Sequence, residues 1–146
     1  FSLSDTFCVE RHKQAFLGLF GRNIDILLAN LAEAQVLLDA TDMHGVIAAM
    51  QGAGVDGAIT CGVDGAVIVH AGEAVRVDAV GVQTVKDLTG AGDQFAAGYL
   101  CGVARGRDAQ TCGRMGALAA AEVIQHFGPR PEKDLRAVFT EHELWD

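Results

Sequence analysis

The sequence predicts an α/β fold: three layers, a mainly parallel sheet with helices on both faces and an antiparallel edge. Three observations carry that prediction. Short apolar runs that end in polar residues, Ile24 to Ala29 and Gly54 to Cys61, alternate with helix-like stretches. Two consecutive strand-like segments follow, Ala66 to His70 and Ala74 to Val77. After Asp93 the pattern is helical to near the end. Alternating strands and helices build parallel sheets, whereas adjacent strands joined by a short turn build an antiparallel edge.

Taken in order, Ser2-Leu3-Ser4-Asp5 reads as a strand end running into a cap. Ser4 or Asp5 can accept from the free amides of a helix over Phe7 to Phe20, which stops near Gly21. Ile24 to Ala29 suits a buried parallel strand. Asn30 and Glu33 follow it, three residues apart, as an N-cap and its capping-box partner at the start of a helix to Leu38. Asp42 to Ala53 is a further helix, and the strand to Cys61 comes next. Gly52 to Gly57 matches Gly-x-Gly-x-x-Gly in form only. It follows a helix and precedes a strand, the reverse of the dinucleotide-binding context, so its glycines read as a helix stop and turn. Thr60 to Ala66 reads as a hairpin connection with glycines at positive φ. Val80 to Val85 leads to a helix over Asp93 to about Arg105. Gly106-Arg107-Asp108 breaks the pattern before an Ala- and Gly-rich helix over Ala109 to Phe127. Gly128-Pro129-Arg130-Pro131 stops it, and residues 132–146 read as a terminal helix with a polar tail.

The 146 residues suit one domain with its own core. Half of them are hydrophobic, 21% are charged and only two are proline, which excludes a disordered chain. The net charge of −8 argues against nucleic acid as a partner, and no apolar run is long enough for a membrane span. No signal-peptide pattern opens the chain, so a cytoplasmic protein is expected. The four cysteines form no C-x-x-C pair and read as buried small hydrophobes in a reducing compartment. Cys8 and His12 share a helix spacing, but two ligands do not make a structural zinc site. The chain opens on Phe1, in what reads as the tail of a strand, and a fragment of a longer protein is expected.

The densest chemical signal is Asp87-Leu88-Thr89-Gly90-Ala91-Gly92-Asp93. Two glycines and an alanine open a helix there. The first amides of a helix lack intrahelical partners and carry partial positive charge, and small residues let an anion approach them. Asp93 would lie beside such an anion, which fits a base that takes a proton from an attacking hydroxyl. It equally fits an acidic residue favoured in any first helical turn.

The Asp-x-Thr-Gly-Ala-Gly-Asp run resembles the second signature of the ribokinase (PfkB) family of sugar and nucleoside kinases. Thr60, Gly62 and Gly65 resemble that family's Thr-x-Gly-x-x-Gly segment, and Asn30 and Glu33 its Asn-x-x-Glu motif, all in family order. The resemblance implies a ribokinase-like fold represented by its C-terminal portion over residues 1–146. Asp93 is then the general base, and the amides of Gly90, Ala91, Gly92 and Asp93 form an anion hole. It implies ATP contacts at Thr60, Gly62 and Gly65 and through the Ala-rich helix, with Asn30 and Glu33 near the phosphates and Glu33 reaching Mg²⁺ through water. Asp87 and Thr89, with backbone oxygens after the Ala-rich helix, are expected to hold a monovalent cation such as K⁺. Leu88 and Leu31 depart from the family pattern, and Leu31 removes one acidic contact. Ser4 to His12, with Phe16, resembles bacterial adenosine-kinase-like members. The expectation is therefore an ATP-dependent kinase of a nucleoside such as adenosine, or alternatively of a sugar such as ribose, fructose or a keto-deoxy sugar acid. Most substrate contacts would lie in an N-terminal half outside this chain, a homodimer is compatible with the family, and the fragment alone would be inactive. A nucleotide-binding module without catalysis and a structural α/β domain are the rivals from other classes.

Overall fold

The computed structural model describes residues 1–145 as two compact units. The first holds residues 1–62 and 67–76, and the second holds residues 63–66 and 77–145.

In the first unit the opening residues lie along the sheet. Ser2 bridges Leu28 in parallel, and the Leu28 N–H donates to the Phe1 carbonyl at 2.8 Å. Helix α1 (Thr6–Leu19) is capped by Asp5, whose carboxylate accepts from the Cys8 N–H at 2.7 Å. Strand β1 (Ile26–Asn30) passes directly into α2 (Leu31–Leu38), and α3 (Met43–Ala53) leads to β2 (Asp56–Thr60). β1 and β2 pair in parallel, from Ile26 on Asp56 to Asn30 on Thr60. Leu27, Leu28 and Ala29 are all buried, as expected of a strand in a parallel sheet covered on both faces. Val9, Leu27, Ala34, Leu37, Val46, Met50 and Ile59 form the core between helices and strands.

Strands β3 (Ala66–His70) and β4 (Glu73–Val77) complete the order β1-β2-β3-β4. Ala71 and Gly72, both at positive φ, make the two-residue turn between them, so this pair is antiparallel and the sheet is mixed. The expected fold class, with its antiparallel edge, is the one observed.

In the second unit α4 (Ala91–Ala104) and α5 (Ala109–Val123) pack backbone to backbone. A Cβ on Gly98 would stand 2.4 Å from the Met115 carbonyl oxygen, and one on Gly116 would stand 2.9 Å from that of Phe95. The small residues of α5 are therefore used for helix contact. Helix α6 (Leu135–Glu141) adds Phe139 to a core of Met115, Leu118, Ala119 and Leu144.

Four expectations are corrected. Gly57 lies within β2, not in a turn: a Cβ there would fall 1.9 Å from the Leu27 carbonyl oxygen, so the paired strand demands glycine. α5 ends at Val123, because the segment after it turns back to receive backbone N–H groups. The tail after α6 is not polar, since Leu144 is buried and Trp145 stacks on Phe139 at 6.2 Å with the Arg105 guanidinium 3.9 Å above its ring. Of the cysteines, Cys112 is buried, while Cys8, Cys61 and Cys101 are half-buried. Among the described residues no group of three or more potential ligands could hold a metal ion, Cys8 and His12 included, and no helix is long and apolar enough to cross a membrane.

Candidate active site

In the first unit the candidate residues stand at the carboxyl ends of the parallel strands, where open α/β sheets bind ligands. Asn30 and Thr60 are register partners there. Asn30 caps α2 through a complete capping box. Its side-chain oxygen accepts from the Glu33 N–H at 2.9 Å, and the two Glu33 carboxylate oxygens accept from the Asn30 N–H at 3.0 Å and from its Nδ2 at 2.7 Å. Glu33 is buried by this arrangement, while Asn30 remains exposed. The Thr60 hydroxyl donates to the Ala29 carbonyl at 3.5 Å. Gly62 opens a single 3₁₀ turn to Asp64 at φ 57°, exposed and with open space around it.

In the second unit Gly65 closes that turn at φ 85°. It is buried so tightly that a Cβ would lie 2.1 Å from the Val77 carbonyl oxygen. This unit also brings together Asp87, Thr89 and Gly90 to Asp93. Gly90 is the N-cap of α4, at φ 81° and ψ 0°, and a Cβ on it would meet Pro129 Cβ at 2.7 Å. No side chain caps α4. The other five described helices each have a side-chain cap, from Asp5, Asn30, Asp42, Asp108 and Asp134. The Ala91 N–H donates to the Leu88 carbonyl at 3.2 Å, no side chain meets the amides that follow, and the space a Gly92 side chain would take is open. Asp93 sits exposed in this first turn.

Asp87 shapes the approach to that turn. One carboxylate oxygen accepts from the Thr89 N–H at 2.9 Å and the other from the Gly128 N–H at 3.0 Å. The Gly128 bond, followed by those from Thr89, lowers its pKa to about 2, so it is an anion at neutral pH. The loop after α5 closes against the same place. The Ile124 carbonyl accepts from the Lys86 N–H at 2.8 Å, and Gln94 Nε2 donates to the Pro129 carbonyl at 3.0 Å. Gln94 and the Gly128–Pro129 contacts carry no motif of their own. The sequence signals only the loop, through its Gly-Pro stop and the expectation that backbone oxygens after the Ala-rich helix help hold a monovalent cation.

Such an arrangement can receive a multiply charged anion on backbone amides, with a carboxylate beside it. Comparison with known proteins gives the family. A family model described as pfkB family carbohydrate kinase matches residues 3–135. A structure of a probable sugar kinase from Rhizobium etli is 39% identical, with a TM-score of 0.93 over 98% of this chain and 44% of that one. Adenosine kinase from Sinorhizobium meliloti is 38% identical, with a TM-score of 0.91 over 97% of this chain and 43% of its own. A cytidine kinase from Thermococcus kodakarensis is 30% identical over 107 residues, 72% of this chain and 38% of its own length. The chain therefore spans less than half the length of these relatives.

Proposed function

Because the chain belongs to the pfkB family of carbohydrate kinases, we propose that it supplies the phosphoryl-transfer half of an ATP-dependent kinase acting on a nucleoside of the adenosine kind. The open, glycine-lined start of α4 carries this reading: α4 alone among the described helices lacks a side-chain cap, and a carboxylate stands in its first turn. ATP is the phosphoryl donor. The amides of Gly90, Ala91, Gly92 and Asp93 receive the charge that develops on the transferred group. Asp93 takes the proton of the acceptor hydroxyl as its oxygen bonds to the γ-phosphorus and the bond to the β-γ bridging oxygen breaks. ADP leaves with the bridging electron pair.

Asn30, Glu33, Thr60, Gly62 and Gly65 are proposed as nucleotide-side residues. Glu33 keeps unused lone pairs beyond its two cap bonds, which suits a water of a magnesium shell. Mg²⁺ would supply counter-charge to the phosphates. Asp87 likewise accepts one N–H on each oxygen and keeps capacity for a monovalent cation such as K⁺, with Thr89 beside it. The Sinorhizobium meliloti relative favours adenosine, and the Rhizobium etli relative keeps a sugar as the second reading.

The test uses the full-length protein that contains this chain. Nucleosides and sugars are screened for ATP-dependent phosphorylation with and without potassium, alongside Asp93→Asn. A general base contributes ~10²–10⁴ in rate, so D93N should lose that much kcat and keep ATP binding. Turnover of D93N within about tenfold of wild type removes Asp93 as the base. ATP binding without transfer to any acceptor would favour a non-catalytic module.

A further inference from the structure

None of the roles above uses Glu122, although its carboxylate is buried in the second unit at 5% exposure. An ionised carboxylate out of water is costly unless its lone pairs are met. Those of Glu122 are met entirely by the segment that follows α5. Oε1 accepts from the Glu132 N–H at 3.1 Å and the Lys133 N–H at 3.0 Å, and Oε2 lies 3.2 Å from His126 Nε2. His126 is itself buried, and its Nδ1 has no hydrogen-bond partner, with the Glu132 carboxylate 3.9 Å away. One carboxylate thus holds both ends of the segment from 126 to 133.

Between those two ends lie the atoms that border the start of α4. They are the Gly128 N–H on Asp87, the Pro129 carbonyl on Gln94, and the Pro129 ring against Gly90. If the far side of the loop is released, its near side loses its fixed position. We propose that Glu122 is a positioning residue for phosphoryl transfer: by holding residues 126, 132 and 133, it sets the loop that holds Asp87 and Gly90 in place. This rests on reading the α4 start as the phosphoryl site.

The experiment compares wild type, E122A and E122Q in the full-length protein, assayed well below each melting midpoint. A misplacement of about an ångström costs on the order of 10²-fold in rate. E122A should lose roughly 10- to 100-fold in kcat, with KM for the hydroxyl acceptor within about threefold. E122Q keeps an oxygen acceptor for the Glu132 and Lys133 amides and should recover most of that kcat. An E122A enzyme with kcat within about threefold of wild type overturns the proposal, as does an E122Q no better than E122A. Should E122A fail to fold, H126A removes one of the three contacts and is read the same way: lowered kcat at unchanged acceptor KM supports the proposal, and wild-type kcat overturns it. If the wild-type protein transfers no phosphate, the functional reading fails by itself. Amide exchange of residues 86–94 then decides the positioning role: faster exchange in E122A or H126A supports it, and unchanged exchange overturns it.

Discussion

Gly90→Ala offers the sharpest physical test of the site. Gly90 sits at φ 81°, and its missing Cβ would lie 2.7 Å from Pro129 Cβ and 2.8 Å from Pro129 Cα. Two penalties follow. Holding an L-residue in the left-handed region costs roughly 1–2 kcal/mol. Forcing a methyl into occupied space costs about 1–3 kcal/mol, the more so because neither neighbour can easily retreat. Pro129 is held through its carbonyl by Gln94, and Gly128 is held through its N–H by Asp87. Alanine restricts the unfolded chain, which returns only ~0.4–1 kcal/mol. The net loss is about 1–4.5 kcal/mol, and at a few degrees per kcal/mol it lowers Tm by roughly 3–15 °C. The single tryptophan, Trp145, lies in the same unit and stacks on Phe139, so its fluorescence reports the transition. Gly92→Ala is the control, since its Cβ would meet nothing within 4 Å and its φ is not positive. G92A should melt at or slightly above the wild-type temperature. A G90A protein melting within about 1 °C of wild type would refute the reasoning, because neither penalty could then be present.

Other expectations follow from the same geometry. Gly98→Ala places a methyl 2.4 Å from the Met115 carbonyl oxygen. It should destabilise the second unit by about 1–3 kcal/mol despite alanine's better helix propensity, whereas Gly52→Ala in α3, with open space, should stabilise slightly; paired urea melts compare them. Asn30→Ala removes the α2 cap and should cost about 0.5–2 kcal/mol, read as faster amide exchange in the first turn of α2. The Thr111 N–H and hydroxyl hold the Asp108 carboxyl below its ordinary 3.8. Its stabilising contribution is present above that pH and is lost as pH falls through the lower folded value, so Asp108→Asn should flatten the acid limb of a Tm–pH curve. His126 has the opposite sign. Its bond to Glu122 raises it above 6.5, so its contribution is complete below 6.5 and is lost as pH rises through the higher folded value. His126→Gln should remove that alkaline decline.

Much of this was legible in the sequence because it is local. Asn30 and Glu33 stand three residues apart and answer each other, so spacing alone gives the capping box. Gly90 to Asp93 are contiguous, and their small side chains show where a helix start is left open. Contacts that depend on distant backbone left no periodic trace. Gly57 reads as a turn residue until the Leu27 carbonyl is seen against it. Glu122 is one acid in an alanine-rich helix, and nothing in its spacing points to the amides ten and eleven positions on that donate to its oxygen. Trp145 sits in a polar-looking tail, and only the fold brings Phe139 and Arg105 to it.

The Asn30–Glu33 box has a consequence beyond helix capping. It is a closed circuit of three hydrogen bonds, with both carboxylate oxygens engaged on a single residue. Any ligand that draws one of those oxygens away opens the circuit and frees an Asn30 donor. Occupancy at the end of β1 is thereby wired to the order of the first turn of α2. The Asn30 backbone and side-chain amide resonances would act as a built-in gauge: unmoved by a ligand that takes only spare lone pairs, and displaced together by one that breaks the loop.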